Sequence, residues 1–152
     1  MNQVIVKIAT SINEFAAIEE IRKTVFQEEQ GVDGELDFDG LDETCDRLIA
    51  SLNGEFIGTV RIRLLNAKMA KIERLAVLKQ GRGHGIGKKL MAEALEIAKS
   101  KGTLEVVIHA QEYIKPLHQQ LGFEEYGDVF EEAGIRHVKM RKVMSYELGV
   151  NN

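Results

Sequence analysis

One α+β domain, with a mixed and largely antiparallel sheet flanked by helices, follows from three features of the sequence. The apolar patterns run in the order β, α, loop, three strands, α, β, α, β, β, so helices and strands do not alternate strictly. Asn53-Gly54 stands between two β-rich runs, a hairpin signal. A chain of 152 residues with 44% hydrophobic content suits a single core spanning residues 1–152.

The first strand is read from Val4, Val6 and Ile8 alternating with Ile5, Lys7 and Ala9. Ser11-Ile12-Asn13-Glu14 has the form of a capping box. Phe15, Ile18, Ile21, Arg22 and Val25 then recur at helical spacing, and that helix is expected to end near Phe26. An acidic loop follows, from Glu28 to about Asp46. Leu48–Leu52 and Phe56–Leu65 form the hairpin strands, and Ala70–Leu78 is a further strand. Ile86, Leu90, Ala94, Ile97 and Ala98 form the apolar stripe of a helix stopped by Gly102. Leu104–His109 is a short strand, Pro116–Leu121 a short helix closed by Gly122, and the strands Phe123–Phe130 and Arg136–Met144 finish the chain.

Composition narrows the function. A formal charge of -4 offers no basic excess for nucleic acid. A single cysteine, Cys45, excludes an internal disulfide and a thiolate zinc cluster and suits a reducing cytoplasm. The N-terminus does not read as a signal peptide, and no apolar run reaches the length of a membrane span. A cytoplasmic protein is expected.

The informative segment is Ile72 to Leu90, in which a strand enters a turn containing Gly81, Gly83, Gly85 and Gly87 and then a helix. Backbone N–H groups freed of side chains, at the positive end of a helix, form an anion site. Arg82, Lys88 and Lys89 add formal charge. The nucleotide P-loop spacing fails, because Arg82 and Lys89 stand where it needs glycine and a hydroxyl. The dinucleotide fingerprint fails as well, because Ile86, Lys88 or Leu90 would be its third glycine. The pattern Arg/Gln-x-x-Gly-x-Gly/Ala is satisfied by Arg82 to Gly87 and by Gln80 to Gly85.

This stretch resembles the acetyl-coenzyme A motif of the GNAT superfamily of N-acetyltransferases. Arg22 to Phe26 with Glu29-Gln30, the run Asp39 to Asp42, and the tail Phe130 to Met140 resemble a bacterial subgroup, the ElaA/YjcF-like acetyltransferases. Leu121-Gly122-Phe123 is similar to the family's usual ending of its last helix. The resemblance implies the acyl-CoA N-acyltransferase fold and direct transfer of acetyl from acetyl-CoA to an amine. Arg82, Gly83, His84, Gly85, Ile86, Gly87 and Lys88 would then hold the diphosphate. Backbone groups of Leu75, Ala76 and Val77 would face the thioester arm and its oxyanion, beside a bulge that nothing in the local sequence signals. Gln111 would lie against the pantetheine, and Lys115 could reach a phosphate.

The resemblance also assigns catalytic roles. A protonated amine near pKa 10.4 gains from a general base, and Glu73 occupies the strand position that would supply it. A glutamate paired with Arg63 or Arg74 is the alternative. For the acid that meets the departing thiolate, His118 stands where many relatives carry tyrosine, and Tyr113 is the other candidate. Cys45 is read as structural, His84 as solvent-facing, and His109 and His137 as isolated. No residue spacing suggests a metal site.

The acidic loop fits no EF-hand register. It reads either as a solvated loop or as a negative border that attracts a cationic small-molecule amine. Two other readings remain open, an acetyl-CoA-binding sensor without turnover and an acyl-homoserine lactone synthase. Homodimerisation, through the sheet edge or the last strands, is also open.

Overall fold

The computed structural model describes residues 2–34 and 39–145. Seven strands are identified: β1 (Val4–Ile8), β2 (Asp46–Leu52), β3 (Glu55–Leu64), β4 (Met69–Val77), β5 (Glu105–Gln111), β6 (Glu124–Glu132) and β7 (Ile135–Val143). They form one sheet in the order β1-β2-β3-β4-β5-β7-β6. Only the β4–β5 pair is parallel; the others are antiparallel. Three α-helices are described, α1 (Ile12–Arg22), α2 (Ile86–Ser100) and α3 (Lys115–Gln120). Among the described residues, no helix is long and apolar enough to cross a membrane.

Local chemistry sets the element ends. The Ser11 side chain accepts the Glu14 N–H, and the Glu14 carboxylate accepts the Ser11 N–H, closing the expected capping box. Lys7 and the Thr10 and Ser11 N–H groups together pull the Glu14 pKa down to about 2. Asn53 and Gly54 both have positive φ, 51° and 87°, as a two-residue hairpin turn requires.

The first helix differs from expectation. It does not stop near Phe26 but widens into a π-helical segment, Lys23–Glu29. The wider turns carry Val25 and Phe26 onward against the sheet and bring Glu29 to Arg82 and Gln30 to Gln111.

The two faces of the sheet are unlike. α2 lays Ile86, Leu90, Met91 and Ala94 onto Leu48, Val60, Ile62, Ile72, Val106 and Met140, which form the main core. The opposite face is covered by α1 and its π-helical extension, where Ile18 meets Ile49 and Val25 meets Ala76. Between these small apolar contacts that face is charged.

Candidate active site

β4 breaks its pairing on both sides, and the site is built on that break. Against β3, Thr59 pairs with Ala76 and Arg61 with Glu73, so Arg74 and Leu75 together oppose Val60. This is a β-bulge, and Arg74 adopts φ +60° within it. The extra residue flips the alternation. Ile72 faces α2, but past the bulge Leu75 and Val77 turn to the α2 side while Ala76 meets α1's extension. Against β5, β4 pairs only from Met69 to Lys71. Beyond that point β4 runs to Val77 and β5 to Gln111 without pairing each other, and the two strands diverge.

The divergence opens a cleft of about 540 Å³, within the usual range for small-molecule sites. Leu75 to Val77 form one wall and Ile108 to Gln111 the other. The glycine turn closes one end, and the β6–β7 turn lies at the other. In the turn, Gly83 and Gly85 have φ of +85° and +74°. The first backbone donor of α2 to find a helical acceptor is Lys89, bonded to the Gly85 carbonyl at 3.1 Å. The N–H groups of the residues just before it therefore lack an intrahelical acceptor, at the positive end of a 15-residue helix. That geometry receives an anion.

The predicted cofactor residues sit around this turn in different ways. Gly83, Gly85, Gly87, Lys88 and Arg82 line the cleft. Arg82 is held in place, with Nη2 donating to Glu29 at 2.5 Å and Nε donating to the Val77 carbonyl at 3.0 Å. Ile86 is buried in the core and anchors the start of α2. The His84 ring turns outward to Asn2. Lys88 reaches Gln120, and Lys115 pairs with Glu125. Gln111 exchanges amide hydrogen bonds with Gln30, at 2.8 and 3.4 Å. Nothing in the sequence pairs Gln30 with Gln111, because the partners lie 81 residues apart.

Glu73 lies on the charged face, buried to 6% side-chain exposure. Arg61 donates to its carboxylate, and Arg63 donates twice, at 3.0 and 3.2 Å. Burial alone would raise its pKa. The Arg63 hydrogen bonds and the charge and hydrogen bond of Arg61 outweigh burial and hold the carboxyl below its ordinary value. Arg61, 1% exposed, also donates to Asp39 and Asp42, and buried Arg22 donates to Asp42 at 2.5 Å. Arg74 reaches Asp39 at 3.2 Å. Part of the acidic loop is thus bound to arginines from α1, β3 and β4, while Glu35 and Asp37 lie outside the described residues. Sequence reasoning missed Arg61, and it placed Arg22 in the helical stripe and the subgroup signature without its ion pair. The signal for the pairing of both is a charged residue set among apolar ones on otherwise buried elements.

The two candidate acids are placed very differently. His118 is buried at the cleft wall, edge-on to Phe123, and burial drives its pKa down to about 4. Its ring is neutral at pH 7, so no imidazolium is ready for a leaving thiolate. Tyr113 stands at the mouth of the cleft, 74% exposed. Cys45 is half-buried, and burial pushes its thiol up, which makes it a poor nucleophile.

Comparison with known proteins agrees with this architecture. Residues 16–144 match the acetyltransferase (GNAT) domain family. The Bacillus subtilis protein YyaT is 38% identical over 128 residues, covering 82% of this chain and 86% of YyaT. B. subtilis YjcF is 28% identical, covering 80% of this chain and 87% of its own length. The crystal structure of Escherichia coli ElaA superposes with a TM-score of 0.79 at 25% identity, covering 93% of this chain and 99% of ElaA. With the splayed strands, the bulge and the glycine turn in one cleft, the chain belongs to the GNAT acetyltransferase family, among relatives that include YjcF and ElaA.

Proposed function

We propose that this chain transfers the acetyl group of acetyl-CoA directly to the amine of a small-molecule acceptor. The observation that carries the reading is that β4, past its bulge, has no partner on the β5 side and leads into the glycine turn. The turn offers N–H groups at a helix N-terminus for a diphosphate. The stretch Leu75–Val77 has no strand partner on its β5 side and can hydrogen-bond the pantetheine arm and the oxyanion of the tetrahedral intermediate. Gln111 faces that arm once its bond to Gln30 is exchanged. Two solved GNAT-fold structures, from Elizabethkingia anophelis with acetyl-CoA and from B. subtilis with CoA, share the fold at 18% identity. The half-buried thiol of Cys45 gives no support to an acyl-enzyme, which favours direct attack.

Two roles change against this geometry. Glu73, expected as the base, lines the cleft but accepts three guanidinium hydrogen bonds from Arg61 and Arg63 that favour its ionised form, and we read it as the counter-ion that keeps those arginines in place. His118 is neutral, and a CoA thiolate, with a thiol pKa near 8.5, leaves at pH 7 at a cost of about 2 kcal/mol without an acid. Tyr113 retains access to the thiolate side from the cleft mouth. Asp39 and Asp42 are neutralised by arginine, so they lend little pull on a cationic acceptor.

Thiol release from acetyl-CoA across a panel of cationic, neutral and carboxylate-bearing amines, with calorimetry of CoA binding, tests the reading. Binding together with amine-dependent release is expected. Binding without release for any amine would favour the sensor reading, and no heat of binding would overturn both.

A further inference from the structure

The β6–β7 end of the cleft holds a second group of titratable side chains, two of which read as isolated in the sequence. His109 on β5 and His137 on β7 both line the cleft. They flank Phe130 of β6, with ring centroids 5.1 and 5.7 Å away. His137 is the cross-strand partner of Gln111 and therefore stands one strand from the thioester path.

The hydrogen bonds assign the ring nitrogens. His137 Nδ1 lies 2.7 Å from the Ile135 carbonyl. A carbonyl only accepts, so Nδ1 carries the hydrogen and the lone pair of the neutral ring is on Nε2. Nε2 is 3.6 Å from the Glu132 carboxylate, placed to pair with an imidazolium once one forms. The His109 Nδ1 is buried with no partner, which costs less as a lone pair than as an N–H and leaves the hydrogen on Nε2. Burial and Lys71 hold His109 below its ordinary pKa, so it stays neutral. One ring therefore offers an acceptor and the other a donor. The charged neighbours are Lys71 on β4, Glu132 on β6 and Lys139 on β7.

We propose that His137, oriented by the Ile135 carbonyl and with Glu132 beside its Nε2, accepts the proton that the acceptor amine sheds as it adds to the thioester. The inference rests on the acetyl-transfer reading above. The amine nitrogen bonds to the carbonyl carbon, and the C=O electron pair moves to oxygen. The nitrogen's proton passes to His137 Nε2, directly or through one water. When that electron pair returns, the C–S bond breaks, and the thiolate takes a proton from the imidazolium or from solvent. Glu73 also lines the cleft, but the arginines bonded to it lower its pKa and make it the weaker base.

The test is steady-state thiol release from pH 5.5 to 9, on the amine that turns over best, for wild type, His137→Gln and Glu132→Gln. His137→Gln should lower kcat by about 10²- to 10³-fold, leave the KM for acetyl-CoA within about twofold and abolish the acidic limb of the pH profile. Wild-type kcat in a folded His137→Gln overturns the proposal, as does a loss confined to KM. Should His137→Gln fail to fold, Glu132→Gln decides, because its side chain is half exposed. A several-fold lower kcat with a displaced acidic limb supports the role, and an unchanged profile overturns it. A wild-type chain that binds CoA and releases no thiol refutes acetyl transfer itself, whereas turnover that is indifferent to both substitutions refutes only the role of His137.

Discussion

Replacing Glu73 with Gln separates a base from a strut. The substitution keeps the side chain's shape and one acceptor oxygen but removes the charge. Three hydrogen bonds from guanidinium groups end on this carboxylate. Bonds to charged groups are worth about 1.5–3 kcal/mol each, and breaking a buried ion pair costs about 3–5 kcal/mol. Arg61 keeps Asp39 and Asp42, so the loss falls mainly on Arg63 and on uncompensated positive charge. A destabilisation of about 3 kcal/mol is expected, which for a chain of this length lowers Tm by about 6–12 °C.

Urea denaturation at several pH values reads this directly. Because the folded-state pKa of Glu73 lies below its unfolded value near 4.3, the pairing stabilises above that pH and is lost as pH falls through the lower folded value. The gap between wild type and Glu73→Gln should therefore be full at pH 7 and close on acidification. Thiol release by the folded variant should fall less than tenfold. A variant of unchanged stability whose kcat drops 10²-fold or more would refute the strut and restore Glu73 as the base.

Other perturbations have equally definite outcomes. His118 titrates near 4 in the fold against about 6.5 unfolded, so the native state refuses a proton that the unfolded chain takes. About 3 kcal/mol should be lost between pH 6.5 and 4, and His118→Phe should flatten that part of the stability profile in urea melts. Ser11→Ala removes the α1 cap and should cost about 1 kcal/mol, seen as a Tm lower by about 2–4 °C. Gly85→Ala places a side chain at φ +74° in open space, so strain alone should cost about 1–2 kcal/mol and weaken CoA in calorimetry. Gly87→Ala meets only Leu117 at 3.6 Å and should fold as well as wild type, so any loss of CoA affinity there reports crowding of the ligand.

What the sequence made legible was whatever local backbone chemistry decides. The Asn53-Gly54 turn, the Ser11–Glu14 box and the strand–glycine–helix unit each depend on a few adjacent residues, and each stands where it was read. The end of α1 was misread because Val25 and Phe26 keep an apolar face whether the turn is α or π. The bulge was silent because Arg74, not glycine, takes the positive φ, with its side chain bonded to distant Asp39. The sheet order is silent for a similar reason. β7 inserts between β5 and β6, and only that insertion sets His137 beside Gln111 and within reach of Phe130 and His109.

The bulge also accounts for why charge could be buried here at all. In an unbroken β4, Lys71, Glu73 and Leu75 would share one face, with Ile72, Arg74 and Ala76 on the other. Arg74 would then enter the α2 core among Leu90 and Met91. The extra residue lets Arg74 swing to Asp39 and returns Leu75 and Val77 to the apolar side. A strand can then be charged before the break and apolar after it on the correct faces. The pairing of β4 with β5 ends at Lys71, just ahead of the same break. The buried arginine network and the open cleft thus meet on one stretch of β4: the ions cover the α1 face of the bulge, and on the other edge the diverging strands leave room for a ligand.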